Sequence, residues 1–133
     1  MEISQQVSIL ISGIISGIIL FQTLVIAPLV FKTLDEKNSR PFLRSIFPKL
    51  FVLIALLSAV SFFQNLLFNN NFILTIVSFI TLISMLTCYL IIPATNKARD
   101  DGNDKVFRRL HTISVILTIF VLLANLFWFF LDT

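Results

Sequence analysis

The chain has 133 residues, 57 % of them hydrophobic and 13 % charged, with a mean hydropathy of +0.97. A soluble domain carries about twice that charged fraction, and the low glycine, proline and cysteine content excludes collagenous, disordered and disulfide-stapled chains. The net charge of +3 bears on orientation rather than on nucleic acid, because every Lys and Arg lies in or beside two short connections.

Residues 3–31, 50–96 and 110–131 contain no Asp, Glu, Lys or Arg. One helix crosses the hydrocarbon core with about 20 residues. The first and last runs therefore hold one span each, and the middle run holds two with a turn. The helices are expected at about residues 7–30, 45–68, 72–92 and 109–130.

The first span is not expected to be a cleavable signal, because Glu2 precedes it without any Lys or Arg and its apolar stretch is too long. It carries SGIISG. At about 100° per residue, Ser12, Ser16, Thr23, Ala27 and Gly13 fall within roughly 100° of one another. Ser12, Gly13, Ser16 and Gly17 read as a small-residue packing motif, used within the chain or between two copies. Pro28 removes a hydrogen bond to residue 24 and can kink the helix.

Between the first two spans, Lys32, Lys37, Arg40, Arg44 and Lys49 form a basic connection whose Phe42, Leu43 and Ile46 suggest an interfacial segment. Pro48 is expected in the first turn of the second helix. On that helix Ser58, Ser61 and Asn65 share a face, with Gln64 off it. Asn69, Asn70 and Asn71 then make a turn at the water interface. In the third helix Thr75, Ser78, Thr81, Ser84 and Thr87 recur every third residue, so they drift around it and read as hydroxyls bonded to their own backbone.

The second basic connection holds Lys97, Arg99, Lys105, Arg108 and Arg109. Asn103 is a good N-cap, and Asp101–Lys105 and Asp104–Arg108 have the spacing of helical ion pairs. On the fourth helix His111, Ser114, Thr118 and Asn125 fall within about 60°. Polar groups at that depth face protein or water rather than lipid. This seam is either interhelical glue or a ligand, proton or metal path that starts at His111.

Catalytic constellations are missing from the residue inventory. There is one His, no acid within a span, no phosphate-binding loop and no nucleophile–base pair. No enzyme activity and no cofactor are expected. Met85, Cys88 and His111 are weak candidate metal ligands, and haem or copper is the alternative reading.

All ten basic residues fall on one side of a four-span chain, and the positive-inside rule puts that side in the cytoplasm. The fold class expected is all-α integral membrane: an antiparallel, up-down-up-down bundle of four transmembrane helices, one domain over residues 1–133, with both termini outside. A bacterial inner membrane is the expected location. The role expected is accessory, scaffold or small-solute permeation. The expected partners are lipid and either a second copy or another membrane protein, with no nucleic acid.

Several motifs resemble a known family. They are APLVF (residues 27–31), IFP (46–48), Pro93 and FRRLHTIS (107–114). Together with the four spans they are similar to the uncharacterised four-helix membrane family typified by transmembrane protein 205, known in bacteria as a domain of unknown function. Thr112 stands where that pattern has Gly, and Thr118 where it has Asn. The family looks like a relative of copper-resistance-D membrane domains and of small membrane protoporphyrinogen oxidases. The oxidase type carries a histidine in its first helix and this chain has none. The resemblance implies fold and location, and no activity.

Overall fold

Long apolar runs propagate as helix until a local signal stops them, so capping residues set where each one ends. The structure, a computed structural model, describes residues 2–69 and 71–132. Among these residues all regular structure is helical. Four helices are long and apolar enough to cross a membrane: α1 (Ile3–Thr33), α2 (Glu36–Phe68), α3 (Phe72–Asp100) and α4 (Asp104–Phe130).

Toward the Asn end the expected bounds at residues 68, 72 and 130 hold, whereas at the basic end the helices run three to nine residues past the boundaries expected from hydropathy, and the two basic connections shrink to a few residues. Asp35 caps α2 by accepting from the Asn38 N–H at 3.0 Å, and a Glu36–Arg40 ion pair of 2.6 Å supports the first turns. The segment expected at the interface is therefore continuous helix, and Pro48 lies in its interior rather than in its first turn. Asn103 caps α4 through the Val106 N–H at 3.3 Å. Between α3 and α4, Gly102 has φ +71°. The Gly102 N–H bonds the Arg99 carbonyl and the Asn103 N–H bonds the Ala98 carbonyl, a double closure that needs a left-handed residue. Neither expected ion pair forms. Asp101 precedes the cap, and Arg108 donates to the Asp104 backbone carbonyl instead. The Asn turn falls partly outside the described residues at Asn70; Asn71 caps α3 by accepting from the Leu74 N–H at 3.0 Å.

Among the described residues there are two π-helical turns, one inside α1 at Gln22–Ile26 and one at Asn65–Asn69, where α2 ends. The first has a clear cause. Pro28 cannot donate to residue 24, and its ring crowds that carbonyl. The turn before it widens, and the Ala27 N–H reaches the Gln22 carbonyl five residues back. Likewise α3 breaks its regular helix at Ile91, two residues before Pro93.

α1 packs against α2 and α4, and α3 packs against α2 and α4; α2 and α3 share the most extensive contact. The core joins Ile15 and Ile19 to Ile54, Met85, Cys88 and Val121. A smaller cluster of Leu74, Val77 and Trp128 lies toward the Asn end. Large apolar side chains, mainly Leu, Phe and Ile, lie exposed along every helix.

Candidate functional site

Twelve polar residues are buried among the described ones, and none of them is charged. An uncharged hydroxyl or amide can be buried if it finds a partner, so the pairing pattern decides what these residues do.

Toward the Asn end the pairing is thorough. The Ser8 hydroxyl donates to the Asn65 side-chain oxygen at 3.0 Å, joining α1 to α2. The Asn65 amide nitrogen donates to Ser61 Oγ at 3.3 Å, and the Ser61 and Ser78 hydroxyls lie 3.0 Å apart, joining α2 to α3. Asn125 donates to Thr81 Oγ1 at 2.9 Å and to the Val121 carbonyl at 2.8 Å, joining α4 to α3. Gln64 donates to the Ser4 carbonyl. Asn71 Nδ2 lies 3.3 Å from the Asp132 carboxylate.

The middle of the molecule is sparser. The Cys88 thiol (3.9 Å) and the Thr118 hydroxyl (2.7 Å) both donate to the Ser114 carbonyl, so α3 meets α4 at a backbone oxygen. Gln22 is buried, and neither atom of its amide has a hydrogen-bond partner.

The basic end is exposed and charged. Arg44 grips Asp100 at 2.6 and 3.2 Å and reaches the Asn96 carbonyl at 3.4 Å, which brings the two basic connections together. Asp100 lies beyond the apolar stretch of α3, and the Arg44 bond holds its carboxyl below the usual carboxylate range. Arg99 sits 4.8 Å over the Phe107 ring, and Phe107 stacks on His111 with centroids 5.7 Å apart and planes at 7°. An open groove of about 760 Å³ runs past Asp35, Lys37, Arg40 and Arg44. Ten bases against five acids leave a formal +5 here; Glu2 and Asp132 leave −2 at the opposite end.

Of the residues expected to pack helices, Ser12, Ser16, Ser58, Ser61 and Asn65 are buried. Gly13 and Gly17 are exposed, and a Cβ at either would meet nothing within 4 Å. Each follows a buried serine by about 100° and so points out of the fold. Thr23 is also exposed. It follows the start of the π turn, where a constant 100° count no longer holds.

The expected α4 seam divides. Asn125 is buried, Ser114 and Thr118 are half-buried, and His111 is exposed. The Phe107 ring one turn earlier offers His111 an apolar face on the outside of the helix, so the imidazole leaves the seam. Met85 and Cys88 are fully buried while His111 lies outside, so these three do not converge. Among the described residues no three of His, Cys, Asp and Glu are grouped to hold a metal ion.

Thr75, Ser78, Thr81 and Thr87 bond carbonyls of their own helix, as expected; sequence reading missed Gln22, Ser8 and the burial of Ser78, Thr81 and Ser84 as a stripe. The stripe was obscured by counting Thr75 and Thr87 with it. Gln22 had a signal: it falls seven residues after Ile15 and three after Ile19, on the same helical face.

These features define an all-helical chain, among the described residues, with four candidate transmembrane spans, uncharged polar side chains buried beside an apolar core, and a basic end. It belongs to the family described as domain of unknown function (DUF4149), whose model matches residues 10–104. That range takes in most of α1, all of α2 and α3, and the Gly102 turn; the α4 seam lies beyond it. No curated protein and no solved structure matches the chain.

Proposed function

We propose that this chain is a non-enzymatic scaffold or accessory subunit of a bacterial inner membrane. In this reading its helices form an antiparallel, up-down-up-down bundle, with both basic connections cytoplasmic and both termini outside. It works without a cofactor, alongside lipid and a second copy or another membrane protein. One observation carries the reading: the buried polar groups toward the Asn end bond to one another and link all four helices. Used this way, they stabilise a rigid body instead of converging on substrate. The ionisable side chains other than Cys88 and Tyr89 lie at the ends, where five net positive charges suit an anionic cytoplasmic leaflet.

Two experiments test this. In a Cys88→Ala background, Glu2→Cys should react with a membrane-impermeant maleimide from outside intact cells. Lys37→Cys and Lys105→Cys should react only after lysis, and the opposite pattern would reverse the orientation. Cross-linking in native membranes should trap the chain in a species larger than one copy. A strictly monomeric chain whose purified form carries a Soret band or stoichiometric copper would replace the scaffold reading with a redox one.

A further inference from the structure

The two π turns begin alike and end differently. Each opens on a buried amide side chain, Asn65 in one and Gln22 in the other. The Asn65 amide finds Ser8 and Ser61 on the fold's own helices. The Gln22 amide is 6 % exposed, and both its nitrogen and its oxygen lack a partner. Single π turns often sit at functional positions, because the widened turn presents a side chain that a regular helix would not. A buried amide left unpaired is costly, so one delivered this way has a partner to meet.

The location sets what that partner is. Gln22 lies ten positions before Lys32, about 15 Å along the helix, or half of a hydrocarbon core about 30 Å thick. The same distance measured from Lys49, Lys97 and Arg109 ends beside Ser58, Cys88 and Thr118. Ser58 and Thr118 donate to carbonyls of their own helices, Ala55 at 2.9 Å and Ser114 at 2.7 Å. Their oxygens keep acceptor capacity. No charge lies at this level, and Ile15 and Ile19 on the same face of α1 belong to the apolar core. A charged ligand would be desolvated there without a counter-ion. The Gln22 amide offers two donors and one acceptor.

We propose that Gln22 is the anchoring residue of a mid-membrane site for a small uncharged group that both accepts and donates hydrogen bonds. Two sources supply that chemistry: internal water, or the hydroxyl head of a lipid-soluble compound. This goes beyond the scaffold reading and does not depend on it.

The test compares wild type with Gln22→Leu and Gln22→Met, apolar side chains of similar bulk. Unfolding midpoints are read in native-membrane nanodiscs, and again after exhaustive delipidation and transfer to pure phosphatidylcholine. Both variants should melt at least about 3 °C below wild type in native lipid. A gap that survives delipidation assigns water, and one that closes assigns the lipid-soluble compound. Midpoints equal to or above wild type in both lipids would overturn the site. Should the variants fail to fold, solid-state NMR of wild type carrying ¹⁵N-labelled glutamine decides. Magnetisation transfer from water or ligand protons to the Gln22 side-chain NH₂ is expected, and its absence overturns the proposal.

Discussion

Asn65→Ala should lower the unfolding free energy by about 2–3 kcal/mol, measured by titrating the protein from mild detergent into dodecyl sulfate. Asn65 is fully buried and ties Ser8 of α1 to Ser61 of its own helix. Hydrogen bonds between membrane helices average about 0.6 kcal/mol and reach about 1.7. Two of them are lost and a small cavity remains, while Ser8 keeps the Ser4 carbonyl and Ser61 keeps Ser78. Ser8→Ala removes one of these bonds without stranding the amide on Ser61, and should cost only about 0.6 kcal/mol. If Asn65→Ala cost no more than Ser8→Ala, the polar layer would not be what ties α1 to α2.

Ile54→Ala should cost about 2 kcal/mol in the same assay, while Leu56→Ala should stay within about 0.5 kcal/mol of wild type. Ile54 is fully buried in the shared core, and Leu56 is 62 % exposed. In water both truncations would lose a transfer term. In a bilayer the apolar surroundings remove most of that term, and only the cavity at Ile54 is left. Its cost is about 24 cal/mol per Å³ over roughly 80 Å³. Equal costs at the two sites would mean that Leu56 packs against protein rather than lipid.

The four helices were legible because charge is confined to the two basic connections and, at the ends, to Glu2 and Asp132, and no local signal competes with that pattern. Their ends were less so. Hydropathy reports where apolar character stops, whereas Asp35 decides where the ladder of α2 starts; Asn103, read from the sequence as a cap, does the same for α4. The π turns were not legible at all. Pro28 pointed to a disturbance near residue 24, but proline alone does not say whether a helix bends or widens. Side-chain facing followed the 100° count for Ser12, Ser16, Ser58 and Ser61. It failed at Thr23, past the start of the widened turn, and at His111, where a neighbouring aromatic ring outweighed the seam.

The π turn in α1 also divides that helix mechanically. On one side Ser4 and Ser8 are bonded to Gln64 and Asn65 of α2. On the other, in Ala27–Thr33, Thr33 bonds Leu29 within its own helix, and Val30 is buried. A widened turn has a weaker ladder than the helix on either side, so α1 behaves as a moored rod with a free arm. Under thermal agitation the arm should swing first and its amide protons should exchange fastest, while the moored half holds its shape.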